Sequence, residues 1–190
     1  MVSVATASAI FAVILTSGVA IYRSCTAAED YSHQSNEQLR AVDYLTRDLH
    51  GALSVTIPLS GGSLALTMPD SYTSYDSAGI PTSGPVDPVI VDGVPVYGDA
   101  TQPVTVIYSV SNGSLIREQF VPSSGQMTQL VVASEVSTFA PAFVPLSAVV
   151  KLSLTFAPLP HPGVTALRPG LTVSATVEPR MLQKKIEDSP

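Results

Sequence analysis

The first charge in the chain is Arg23, and the stretch before it, "MVSVATASAIFAVILTSGVAIY", is apolar or small throughout. An uncharged run longer than about 18 residues is long enough to cross a bilayer as a helix. At about 1.5 Å per residue it would span roughly 33 Å, close to the roughly 30 Å of bilayer hydrocarbon. A secretory signal places a basic region ahead of its apolar stretch, and none stands here. The stretch "ATASA" could pass for a cleavage site, but it precedes the most apolar part. A buried core helix of this length would carry a charge on its outer face. Residues 1–22 therefore read as a membrane helix, with Val2, Val4, Ile10, Phe11, Val13, Ile14, Leu15, Val19 and Ile21 as its apolar surface.

Composition then changes without a helix stop. No proline occurs until Pro58, and Gly51 is the only glycine between Arg23 and Pro58. Leu39, Val42, Leu45, Leu49 and Leu53 recur at spacings of three and four, an apolar stripe on an otherwise polar helix. Asp43 and Arg47 stand four apart in the acid-before-base order that favours a helical pair. The expectation is one helix of about 53 residues, roughly 80 Å long. Residues 1–22 would face lipid, and residues 23–57 would lay the leucine stripe on a partner element.

After Pro58 the period falls to two. "SLALTM" (63–68) alternates, and "PVTVIYSV" (103–110) is rich in β-branched residues. Residues 69–88 have loop composition. In "VTVIYSVSNGSLIREQF" the dipeptide Asn112-Gly113 stands between two strand-like runs, where it suits the positive φ angles of a type I′ hairpin turn. Residues 129–143, 148–158 and 170–180 supply further strands. The fold class expected is α+β: a long N-terminal helix, membrane-spanning in its first half and amphipathic in its second, packed on an antiparallel β-sheet head. The head would run over 58–180, and 181–190 would form a polar tail.

The arrangement resembles the type IV pilin-like family, in particular the minor pseudopilins of the J type in type II secretion and the W-type minor pilins. "VSVATASAIFAVIL" is similar to the family's N-terminal stretch, and "YSHQSNEQLRAVDYLTRDLHGA" to its amphipathic helix. "VTVIYSV-NG-SLIREQ" resembles its hairpin, "VVASEVSTFAPAF" and "AVVKLSLTF" the strand pair that follows, and "VEPRM" its C-terminal "rPR". Each motif is short, and their shared order carries the resemblance. Alignment on "VSVA" would place the family's basic leader, and the glutamate it pairs with a neighbouring subunit's amine, ahead of Met1. What the resemblance implies is a structural subunit and not an enzyme. It would sit in the bacterial inner membrane by a single pass, with its C-terminal head in the periplasm. Its partners would be membrane lipid, other minor pseudopilins or pilins, the assembly platform and exported protein substrates.

Candidate sites are sparse. His33, His50 and His161 are isolated, with no second ligand at metal spacing; the first two are expected on an exposed helix and the third in a loop. No "GxSxG" occurs. Asp70, Asp76, Asp87, Asp92 and Asp99 lack the "DxDxDG" spacing of a calcium loop and read as turn caps. Cys25, the single cysteine, excludes an internal disulfide and reads as a small helix residue, although acylation at the membrane exit would suit it. Arg117 and Arg180 fit the family pattern and also the plainer role of an arginine tying strands together. No catalytic residue, cofactor or metal is assigned. With 9 basic against 15 acidic residues and only Lys184–Lys185 as a basic pair, a nucleic-acid partner is excluded.

Two other readings stay open beside the pseudopilus subunit. One is a type IV pilus minor pilin that primes fibre assembly or adhesion. The other is an exported enzyme or sugar-binding β-domain with an unusual signal peptide.

Overall fold

The structure, a computed structural model, describes residues 2–59, 61–72, 74–76, 80–91, 94–122, 124–158 and 170–179, with helix side chains from Thr16 onward. Helix α1 runs Val2–Gly51. Ten strands follow: β1 (Ser54–Thr56), β2 (Ser63–Asp70), β3 (Val89–Val91), β4 (Val94–Val96), β5 (Asp99–Ser111), β6 (Ser114–Val121), β7 (Gln126–Ala133), β8 (Val136–Val144), β9 (Val149–Phe156) and β10 (Thr172–Val177). The architecture is α+β. The chain divides into two compact units, Met1–Asn36 with Pro158–Pro169, and Glu37–Ala157 with Gly170–Pro190. The division falls inside α1, so residues 37–51 belong with the strands.

In the first unit, α1 exposes Val19, Ile21, Tyr22 and Tyr31, with Val19 at 49% and Ile21 at 65%. The side chains of Val2, Val4, Ile10, Phe11, Val13, Ile14 and Leu15 lie outside the described residues. Among the described residues no helix is long and apolar enough to cross a membrane.

The second unit holds three antiparallel sheets where the sequence reading expects one. The largest has the order β1-β2-β5-β6-β7, the second β10-β9-β8, and β3-β4 stand as a separate hairpin. The sheets part at Ser134–Glu135, where Glu135 takes φ 60° and turns β7 out of line with β8. A left-handed conformation at a non-glycine residue departs from the extended β region, and it falls inside the strand-forming stretch 129–143. The turn at Asn112 and Gly113 has φ 50° and 75°, both positive as a type I′ hairpin requires. It sets the β5–β6 register: Ser111 faces Ser114, Val110 faces Leu115 and Tyr108 faces Arg117.

One core joins the sheets and the helix. From α1 come Ala41, Leu45 and Leu49, with Ala52 just after its end; from the large sheet Leu64, Leu66, Val104, Val106, Tyr108, Leu115 and Val121; from the second sheet Phe139, Val150, Leu152, Leu154 and Phe156. Leu45 and Leu49 are fully buried, and Val42 and Leu53 half-buried, but Leu39 is 67% exposed. The expected stripe therefore needs correcting at its start. Three-residue steps drift about 60° backward on a helix of 3.6 residues per turn, so two of them carry Leu39 about 120° from Leu45. The buried line instead passes through Ala41, Leu45, Asp48, Leu49 and Ala52. Both ends of that line are alanines, whose low hydropathy made the line hard to see.

This placement separates two leucines on one helix. Leu45→Ala is expected to cost about 2–5 kcal/mol through lost burial and a residual cavity. Leu39→Ala should stay within about 0.5 kcal/mol, as exposed substitutions do. Urea unfolding of the full chain, comparing midpoints, measures both.

Candidate functional site

One acidic residue interrupts the apolar line of α1. Asp48 is 2% exposed, beside the buried Leu45 and Leu49 of its own helix. A carboxylate taken out of water is tolerated only when charged and hydrogen-bonding partners replace the solvent. The β-hairpin supplies them. The Tyr108 hydroxyl donates to Asp48 Oδ2 at 2.7 Å, and Arg117 Nε donates to the same oxygen at 2.6 Å. Arg117 also donates from Nη1 to Gln119 Oε1 at 2.9 Å, which keeps the guanidinium on the inner face. Arg47 Nε lies 3.6 Å from Asp48 Oδ1 on the exposed side.

The geometry follows from the turn. Tyr108 and Arg117 are direct cross-strand partners, so both point to one face and converge on a single acceptor. Burial pushes the Tyr108 hydroxyl well above its ordinary 10.0, and the neighbouring Asp48 charge and hydrogen bond add to this. Burial alone would lower Arg117, but the Asp48 carboxylate outweighs it and holds the guanidinium charged, above its ordinary value. The cluster is thus a neutral phenol and a cation on a buried carboxylate. It pins one point of the helix to β5 and β6.

Two further contacts fix the same stretch of helix to the end of β7. Glu37 Oε2 accepts from the Ser134 backbone N–H at 2.7 Å and from its hydroxyl at 3.1 Å. Arg40 Nη2 donates to the Val131 carbonyl at 3.1 Å. Glu37, Arg40 and Asp48, with Ala41 and Leu45 between them, make a docking strip along the helix.

Among the expected site residues, Arg117 departs from the expected role of tying strands together; instead it ties β6 to the helix through Asp48, and its other bond goes to Gln119 on its own strand. Arg47 departs from its expected pairing with Asp43 and lies over the Tyr44 ring, 4.6 Å from the centroid. An aromatic face and a nearby buried carboxylate both attract a guanidinium, and Asp43 offers only a solvated charge. His33 is exposed; His50, expected to be exposed, is half-buried, and its buried Nδ1 has no hydrogen-bond partner among the described residues. It stands in the last turn of α1, where the end of the helix meets the strands. Cys25 is exposed. His161, Asp92, Arg180 and Lys184–Lys185 lie outside the described residues. Among the described residues no group of three metal-ligating side chains comes together.

Of the expected turn-capping aspartates, Asp70, Asp76 and Asp99 make such bonds, and among the described residues none is found for the exposed Asp87. Asp70 Oδ1 accepts from the Tyr72 N–H, Asp76 Oδ1 from the Ile80 N–H, and Asp99 Oδ1 from the Thr101 N–H and hydroxyl. Asp70 does more: it is buried and also takes the Tyr75 hydroxyl, whose ionisation is raised by burial and by that carboxylate. Gly98, at φ 103°, closes over this point, and a Cβ there would meet the Asp70 carbonyl at 2.4 Å. The loop is therefore tied at its base, with Tyr72–Pro85 and Tyr75–Pro81 bridges inside it.

Asp48 and Glu37 were not singled out by sequence reasoning. A signal for Asp48 existed: counting back from Asn112-Gly113 places Tyr108 opposite Arg117, and a cation on an inner face demands an acid. The chain matches no protein-family model, no curated protein and no solved structure.

The cluster should show in both mutation and pH. Arg117→Ala leaves Asp48 as an uncompensated buried charge and is expected to cost about 3–5 kcal/mol, whereas Asp48→Leu with Arg117→Met should recover most of that loss. Urea midpoints of the single and double variants check this. A phenol whose ionisation is raised on folding stabilises fully below its unfolded value of 10.0, and that stability fades as pH climbs above it. Stability measured from pH 8 to 11 should therefore fall past pH 10, and Tyr108→Phe should flatten the fall while lowering stability at pH 8 by about 1–3 kcal/mol.

Proposed function

We propose that the chain is a structural minor subunit of a type II secretion pseudopilus, anchored in the inner membrane by residues 1–22 with its head in the periplasm. The observation that carries this reading is the division of labour along α1. Residues 37–51 bury Ala41, Leu45, Asp48 and Leu49 in a β-rich head, while Val19, Ile21 and Tyr22 of the same helix stay uncovered. An apolar helical surface exposed among the described residues would suit lipid or other helices. The small residues of "ATASA" (5–9) and Ser17-Gly18 would let neighbouring helices approach closely. In the head, Ile80, Ile90 and Tyr97 are exposed on the segments between β2 and β5, offering apolar contacts to neighbouring subunits. The family likeness of the motif order supports a pilin-like subunit, and the buried, mutually satisfied Asp48 cluster serves a fold that transmits position and not one that admits a substrate.

In fractionated cells the full chain should appear in the inner membrane, and deletion of residues 1–22 should release the head and abolish secretion of exported proteins. Recovery of the full chain in the soluble fraction, or secretion untouched by the deletion, would overturn the proposal. Loss of surface fibres with secretion intact would instead place the subunit in a type IV pilus.

A further inference from the structure

We propose that β7 is the docking edge for a second copy of this chain, the two β7 strands pairing antiparallel about a two-fold axis at Gln129. The inference goes beyond the pseudopilus reading and stands on the sheet itself. β7 is the last strand of the five-stranded sheet, with β6 on one side only. Its sequence, "QMTQLVVA", has no charge, proline or glycine over eight residues. Exposed strand edges are normally protected by such residues or by being short. The opposite edge of the same sheet follows that rule, since β1 has three residues, and β8 of the second sheet carries Pro141. β7 is left open.

The direction of its backbone groups follows from one contact. Arg40 takes the Val131 carbonyl, which points that carbonyl away from β6. Alternation along an antiparallel strand then turns the N–H and C=O of Gln129 and Met127 to the same open side. A row of main-chain donors and acceptors selects an extended strand as its occupant. The side chains select a second copy. Across β6 and β7 the outer-face pairs are Ile116 with Val131, Glu118 with Gln129, and Phe120 with Met127. A two-fold at Gln129 sets Met127 opposite Val131 of the other copy and continues these rows. Phe120 and Met127 then meet the other copy's Val131 and Ile116 in one apolar row, covering Met127 and Val131, which are 64% and 50% exposed. In the middle row the two Gln129 amides meet. Each already donates Nε2 to its own Glu118 Oε1 at 3.2 Å, which leaves the amide oxygen for its counterpart. No like charges are brought face to face on the paired strands, because β7 carries none.

Site-specific crosslinking tests the axis. In a full-length Cys25→Ser background, Gln129→Cys places two thiols on directly opposed residues, with Cα atoms about 5.5 Å apart, within disulfide reach. Oxidation in detergent solution should convert most of this variant to a covalent dimer on a non-reducing gel. Glu118→Cys, one strand inward, should give at least tenfold less. Gln129→Lys sets two like charges opposite each other and should shift the light-scattering mass from dimer to monomer, with the circular dichroism spectrum retained. Failure of Gln129→Cys to crosslink, equal crosslinking from Glu118→Cys, or a mass unmoved by Gln129→Lys overturns the proposal. None of these readouts depends on membrane targeting or secretion, so the two readings fail separately.

Discussion

Asp48 is the point on which the rest of the head depends. A carboxylate among leucines on a buried helix face has no stable state without its donors, so the helix can dock only where Tyr108 and Arg117 await it. Apolar contacts alone tolerate sliding by a turn or rotation by tens of degrees; an ionic hydrogen bond to one oxygen does not. Burial of Leu45 and Leu49 supplies the larger driving force, and the Asp48 cluster selects one geometry from those that burial would accept. Glu37 and Arg40 hold the same strip of helix where it meets the end of β7, so rotation about the Asp48 anchor is also blocked.

Much of this was legible in the residues. The Asn112-Gly113 turn specified a hairpin, and its register alone put Tyr108 across from Arg117. The α+β class followed from the change of period after Pro58. Legibility failed where signals were carried by small or polar residues. Leu39 resembled the start of a packing stripe because leucine is conspicuous, while the buried Ala41 and Ala52 carry little hydropathy. The division of the sheet comes at Glu135, at a left-handed backbone angle of which glutamate gives no warning as glycine would. Asp48 looked like one more solvated charge in "TRDLHG", since helical periodicity counts apolar residues and is silent on a buried acid.

The same device recurs at the base of the long connection after β2. Asp70 is buried, caps the following turn and receives the Tyr75 hydroxyl, while Gly98 comes close above it. In both places a buried acid with a tyrosine donor fixes a long element to the sheet: helix α1 in one, the loop carrying exposed Ile80 in the other. A loop with so much exposed apolar surface would collapse onto the sheet unless its base were held by directional bonds. Fixing the base lets the tip stay presented.

The chain exposes Val19, Ile21 and Tyr22 on its helix, Ile80 on the loop after β2, Ile90 on β3, and an uncharged edge at β7. These surfaces differ in kind. The helix has its backbone groups paired within itself and offers side chains only. The loop tips offer shape and apolar area without a directional pattern. The β7 edge presents main-chain donors and acceptors in a fixed order, so its chemistry alone names the geometry of what binds there. Buried carboxylates do one job twice in this fold: Asp48 fixes residues 37–51 of the helix to the sheet, and Asp70 fixes the base of the loop.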